Sequence, residues 1–213
     1  MKVKIKKEGK TKEFKLINSW NDVTLESWAK LIDFENGSKS NEAIETIKAL
    51  SDIPEKLIKQ LSLNDVATIM SKVGELQQNA NYSLKRIIKV GDKEYGYHPD
   101  LNSISLGEWA DLETFIKAGL DKNLPEVCAV LYRPIVEKKN KKYTIEAYDG
   151  EISIRAEEFK KMSAEQVQGA LVFFWTFVKE LLKIMPLYLM ERTQEIKKIM
   201  EEKILPTNGV ISE

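Results

Sequence analysis

The stretch Val23-Thr-Leu-Glu-Ser-Trp-Ala-Lys-Leu31 returns later in the chain, in altered form, as Ile104-Ser-Leu-Gly-Glu-Trp-Ala-Asp-Leu112. The offset is 81 residues, and it also aligns Lys12-Glu-Phe14 with Lys93-Glu-Tyr95 without a gap. The leucine, tryptophan and alanine keep the same spacing in both copies. An ungapped match of this length indicates an internal duplication, although two copies do not make a solenoid.

Each copy begins with a pattern typical of a β-hairpin. Polar and apolar residues alternate in Val3–Lys6 and Glu13–Leu16 of the first copy. The second copy alternates in Arg86–Val90 and Glu94–Tyr97, and Gly91-Asp92 separates these two runs. Glycine between two alternating runs is typical of a hairpin turn. We therefore expect one antiparallel ribbon in each copy.

A helix start follows each hairpin. Thr24 and Ser105 are predicted N-caps, and Ser105 with Glu108 forms the pattern of a capping box. Trp28 and Trp109 lie three residues before a leucine, a spacing that places both side chains on one face of a helix. We expect this face to be buried in both copies.

A third hairpin is predicted further along the chain. Lys142–Tyr148 and Glu151–Arg155 flank Asp149-Gly150, and Asp-Gly between alternating runs is a strong hairpin signal. Ser163 is then placed to cap a long helix. Pro186 should kink or divide that helix, because proline has no amide hydrogen to donate.

These patterns predict an α+β fold that is mainly helical, with two or three inserted antiparallel β-hairpins and an internal hairpin-helix duplication. Short helices are expected between the two copies, over 41–50, 54–61 and 62–78. The duplication predicts a first repeat over 1–81. The second repeat, the third hairpin and the long C-terminal helices would occupy 82–213, either as a separate domain or as part of one compact unit.

Composition disfavours several classes of protein. Lys+Arg and Asp+Glu number 33 each, so no net field attracts nucleic acid or an anionic membrane. The single cysteine, Cys128, cannot form an internal disulfide, which fits a reducing compartment. The longest apolar run, 170–178, is much shorter than the roughly 20 residues that a membrane span needs. We expect no membrane association.

No arrangement of residues in the sequence indicates catalysis. His98 is the only histidine, and neither it nor Cys128 has the companions that a metal site or a nucleophile needs. We therefore expect His98 to end a strand at a turn and Cys128 to be a buried core thiol. The glycine patterns of phosphate-binding and dinucleotide-binding loops and the serine nucleophile motif are absent as well. We expect no enzymatic activity, no metal and no cofactor.

Several residues are candidates for interfaces or for core packing. Arg133 is placed to fork onto a carboxylate at the junction between a helix and the third hairpin. The aromatic run near 175 fits either the core or a subunit interface, because a helix that is apolar on most sides must be covered. Lysine clusters at 2–12 and 138–142 fit either contact with phosphate or protection of strand edges. The candidate interface or packing residues are Trp28, Trp109, Arg133, Phe173, Phe174, Trp175 and Phe177.

Four motifs in this order resemble a family of small proteins encoded by tailed bacteriophages, including the crAss-like phages of Bacteroidetes. The first motif is Trp20-Asn-Asp-Val-Thr-Leu-x-x-Trp28, and the second is its repeat in the second copy, Ser105-Leu-Gly-Glu-Trp109. The third is Ala129-Val-Leu-Tyr-Arg-Pro134, and the fourth is Ile145-Glu-Ala-Tyr-Asp-Gly150, which precedes the helix with Phe173-Phe174. The resemblance covers most of the chain. It implies a role in the virion or in tail assembly and supplies no catalytic residue.

The expected function is therefore that of a non-enzymatic structural or assembly protein of a tailed phage, found in the virion or in the host cytoplasm. Its partners would be copies of itself or other phage structural proteins, with no small-molecule substrate. A tail-assembly chaperone that leaves the particle is the alternative. A nucleic-acid-associated protein that uses the lysine clusters is the less favoured one.

Overall fold

Contacts divide the chain into two compact units. The first consists of Met1–Asn81 with Ser163–Glu165, and the second of Tyr82–Met162 with Gln166–Glu213. Helices and antiparallel sheets occur together, so the fold is α+β, as the sequence predicts. The structure is a computed structural model that describes residues 1–7, 10–33, 38–140, 142–184 and 187–204.

The first unit joins a two-stranded ribbon to helices. Strand β1 (Lys2–Lys7) pairs antiparallel with β2 (Lys10–Lys15), as predicted, while residues 8 and 9 between them lie outside the described residues. Alternation along β1 places Val3 and Ile5 in the core and Lys4 in solvent. The helices of this unit are α1 (Leu25–Asp33), α2 (Lys39–Leu50), α3 (Glu55–Ile58) and α4 (Leu63–Gln78).

Side-chain caps fix where these helices start. The Thr24 hydroxyl accepts a hydrogen bond from the Ser27 amide at 3.2 Å, which confirms Thr24 as the cap of α1. Ser62 and Asp65 form a reciprocal capping box at the start of α4. Such bonds satisfy amide groups that have no partner inside the helix.

One short segment from later in the chain completes the first unit. Ser163 forms an antiparallel bridge with Thr24, and the Ala164 amide donates to the Val23 carbonyl at 2.8 Å. The backbone just before α1 therefore forms a short antiparallel β-bridge with this later segment.

The second unit contains a four-stranded antiparallel sheet in the order β3-β4-β5-β6. Its strands are β3 (Ile87–Val90), β4 (Lys93–Tyr97), β5 (Tyr132–Lys139) and β6 (Lys142–Ile145). Its helices are α5 (Leu106–Lys117), α6 (Leu124–Leu131), α7 (Ser153–Phe159), α8 (Ala164–Ile184, from its third residue on) and α9 (Leu187–Ile204). The predicted break at Pro186 falls outside the described residues.

The second hairpin is confirmed, but the predicted third hairpin is wrong. Strand β6 pairs with β5, which precedes it, and the predicted last strand is replaced from Ser153 on by helix α7. The reason is a helical spacing in that segment: Ile152, Ala156 and Phe159 are four and three residues apart, and all three are buried. Their burial on one face outweighs the hairpin signal of Asp149-Gly150.

The duplication is visible in the structure. A 3-10 turn spans Trp20–Asp22 in the first copy and Leu101–Ser103 in the second, so the offset of 81 residues is kept. The helix starts match as well, because α1 and α5 begin at Leu25 and Leu106. Ser105 and Glu108 form the predicted capping box. The repeat is therefore a hairpin, a short turn and a capped helix.

The sheet of the second unit folds back over one glycine. A Cβ atom on Gly96 would lie 2.4 Å from the Tyr143 ring and 2.9 Å from Ile145. The Tyr143 hydroxyl also donates to the Tyr97 carbonyl at 2.7 Å. A register shift between Ile135 and Glu137 marks a bulge, which lets β6 bend towards β4.

Candidate protein-binding surface

A buried ion pair in the second unit joins Arg133 to Glu108. Arg133 is the second residue of β5, directly after α6, and its Nη2 lies 2.6 Å from the Glu108 Oε1. Their side chains are only 7% and 4% exposed. The other Glu108 oxygen accepts a hydrogen bond from the Ser105 amide at 2.7 Å. The predicted carboxylate partner is thus present, but it is held by one guanidinium nitrogen and not by a two-pronged fork.

His98 lies beside this ion pair. It follows the end of β4, where its amide donates to the Leu131 carbonyl at 2.7 Å, and its Nε2 lies 3.5 Å from the Glu108 Oε1. Burial lowers the pKa of the His98 imidazole, and the Glu108 carboxylate opposes this effect only in part. His98 is therefore neutral at physiological pH. The sequence predicts its place at a strand end, but nothing in the sequence indicates Glu108 as its neighbour.

Tyr148 closes this charged cluster from the other side. The Arg133 guanidinium carbon lies 5.7 Å from the centroid of the Tyr148 ring, which is within cation–π range. The Tyr148 hydroxyl donates a hydrogen bond to the Asp111 carboxylate. The charges of Arg133 and Glu108 are thus used to connect α5, β5 and the loop that follows β6. Within the described residues, no group of three or more potential metal ligands is found.

Four of the predicted aromatic and interface residues contribute to packing. Trp28 is buried in the first unit. In the second unit Phe174 and Trp175 are buried, and the half-buried Trp109 lies 6.4 Å, centroid to centroid, from Phe174. Such tilted ring pairs add to the burial of apolar area.

Phe173 and Phe177 lie on a different face of α8 and line a groove. Phe173 is 39% exposed and meets the Tyr97 ring edge-on at 5.6 Å, while Phe177 is half-buried. The opposite wall is the loop after β4. The groove encloses about 330 Å³, and its lining is Arg86, His98, Pro99, Asp100, Leu101, Asn102, Phe173, Thr176, Phe177 and Glu180.

Arg86 closes one side of this groove. Its guanidinium carbon lies 5.8 Å from the centroid of Phe173, and its Nη1 donates to the Pro99 carbonyl at 3.4 Å. An aromatic wall bordered by an arginine and by carboxylates suits the side chains of a protein partner, since interface cores are enriched in aromatic residues and arginine. Nothing in the sequence singles out Arg86 as a groove residue. Only the spacing of Phe173, Phe177 and Glu180 along one helix face could have indicated the groove.

The two copies of the repeat differ in one exposed leucine. Leu25 in the first copy is completely buried, whereas its counterpart Leu106 in the second copy is 84% exposed. Leu63 occupies the same first position of α4 and is 89% exposed. Exposure at this position is therefore shared by two helix starts and does not by itself mark a binding site.

Within the described residues, no helix combines the length and the apolar character that a membrane span requires. No family model matches the sequence, and no curated protein or solved structure matches it significantly.

Proposed function

We propose that this protein acts by binding other proteins, as a non-enzymatic structural or assembly protein of a tailed bacteriophage. The observation that carries the binding role is the groove along α8, where Phe173 presents an aromatic ring to solvent. An exposed aromatic side chain costs free energy in water, and a partner that covers it recovers that cost. The assignment to phages depends on the resemblance of the four ordered motifs.

The arrangement of the charged residues supports a binding role over a catalytic one. Glu108 and Arg133 neutralise each other, and Glu108 also caps α5. The thiol of Cys128 is buried, and burial raises its pKa to about 12, which keeps it in the unreactive protonated form. Glu108, Arg133 and Cys128 are thus engaged in packing or pairing.

The first test is whether the protein is part of a particle. We expect mass spectrometry of phage particles, purified from a culture that produces the protein, to find it in a fixed ratio to the major capsid protein. Presence in the lysate together with absence from the particles would favour the chaperone. Absence from every particle and from every complex with a phage protein would contradict the proposal.

The second test concerns the groove. Replacing the exposed ring in Phe173→Ser should weaken the association with a particle protein about tenfold, since centrally placed aromatic anchors contribute more than 1 kcal/mol. Leu63→Ser is the matched control, because it removes an exposed apolar side chain from the first unit. Equal binding by both variants, at unchanged thermal stability, would rule out the groove as the binding site.

A further inference from the structure

The tip of the β5–β6 hairpin places two lysines opposite each other. Lys139 and Lys142 are register partners at the last pair before the turn, and both are exposed. Among the described residues, neither lysine has an ion-pair partner. Like charges directly opposite in an antiparallel pair destabilise it. An anionic group bound between them would remove this repulsion.

The hairpin directs its neighbouring charges to different faces. Lys138 and Tyr143 form the adjacent pair and turn towards β4, where Lys138 reaches Glu94 at 3.0 Å. Lys139 and Lys142 lie on the other face, because side chains alternate along a strand. A wide, open concavity of about 820 Å³ surrounds this tip, and its lining is Glu137, Lys139, Asn140, Lys142, Tyr143 and Thr144.

Strand β6 is also an edge of its sheet. In the order β3-β4-β5-β6, no other described strand pairs with its outer side. A free edge can accept an extended segment through main-chain hydrogen bonds, while side chains on alternate positions supply specificity. Lysine at such an edge discourages pairing with uncharged strands, but it attracts an acidic one.

We propose that the hairpin tip, formed by Lys139, Asn140, Lys142 and Thr144, binds an acidic extended segment of a partner protein. Glu137 favours a peptide over nucleic acid, because it lies exposed on the same face two residues before Lys139. That carboxylate would repel the continuous phosphate backbone of a nucleic acid. A peptide can place a neutral or basic side chain there. This inference depends on the proposed protein-binding function.

The test uses the whole 213-residue chain and a labelled synthetic peptide of alternating glutamate and threonine, with binding followed by fluorescence anisotropy. The double variant Lys139→Gln/Lys142→Gln should bind about tenfold more weakly, because two charge pairs with the peptide are lost. Glu137→Gln should strengthen binding about threefold by removing a repulsive charge. Thermal unfolding checks that each variant is folded.

The matched control is Lys4→Gln/Lys12→Gln, which makes the same change in net charge on the exposed side chains of the first hairpin. It should bind the peptide like the unchanged protein. Absence of peptide binding, or equal weakening by both double variants, would overturn the inference. Duplex DNA bound more tightly than the peptide would overturn it in favour of nucleic acid. The particle measurement and the Phe173→Ser result are independent of this assay, so the proposed function can survive its failure.

Discussion

Arg133 and Glu108 illustrate how a single buried pair connects separate elements. Removing one partner leaves the other charge buried without compensation, at a cost of about 3–5 kcal/mol. We expect Arg133→Met to lower the free energy of unfolding by about this amount in urea denaturation. The exposed pair of Lys30 with Glu26, 2.9 Å apart, is the control. Lys30→Met should change stability by less than about 1 kcal/mol. Similar losses in both variants would show that the burial of Arg133 and Glu108 does not govern their contribution.

The lowered pKa of His98 predicts how the stability of the protein changes with pH near neutrality. Its folded pKa lies below the unfolded value of about 6.5, so the unfolded chain binds the proton more readily. Above about pH 6.5 the neutral imidazole makes its full contribution to the free energy of unfolding. This contribution is lost as the pH falls from about 6.5 towards the folded pKa. Arg133 and Glu108 face the ring, and Asp100 lies nearby.

The measurement is simple because the chain has one histidine. The imidazole carbon-bound proton signals in NMR should titrate below pH 6.5, and urea unfolding should show stability falling over the same range. His98→Gln should flatten that part of the curve. The carboxyl pKa values of Glu55 and Glu158 are also lowered, but these two groups change the stability only below about pH 4.5, the ordinary carboxyl pKa. A histidine signal that titrates above 6.5 would contradict the lowered pKa.

Among the elements, α8 depends on a glycine for its close approach to the chain before β3. A Cβ atom on Gly169 would lie 2.6 Å from the Ser83 carbonyl oxygen, which is backbone and cannot simply rotate away. We expect Gly169→Ala to destabilise the protein by about 1–3 kcal/mol, as overpacking does. Gly74 in α4 has no atom within 4 Å of such a Cβ, so Gly74→Ala should stabilise by up to about 1 kcal/mol. Thermal unfolding of the two variants should give shifts of opposite sign, and shifts of equal sign would contradict the contact.

Local signals predicted the helix starts and the first two hairpins well. Ser62, Thr24 and Ser105 cap helices in the structure because an N-cap needs only a side-chain oxygen within three residues. Strand β5 was missed, because Pro134 argues against a strand and its pairing with β4 is non-local. The site was harder to predict for the same reason. Arg133 meets Glu108, and Phe173 meets Arg86, only after distant segments have folded together.

In the molecule as a whole, Cys128 reports on the opening of the second unit. It is the only cysteine, it is completely buried in α6, and burial raises its thiol pKa to about 12. A thiol reagent needs both access and the thiolate, so labelling requires α6 to separate from its surroundings. For a typical stability of at least 5 kcal/mol, we expect labelling of the native protein to be more than a thousandfold slower than labelling in denaturing urea.

Cys128→Ser checks that no other group reacts. Gly169→Ala should speed native labelling, since its strain lies in the same unit, whereas Gly74→Ala should leave the rate nearly unchanged if the two units open separately. Equal labelling rates in native buffer and in urea would show that α6 is accessible in the folded state, and that the second unit does not protect its core.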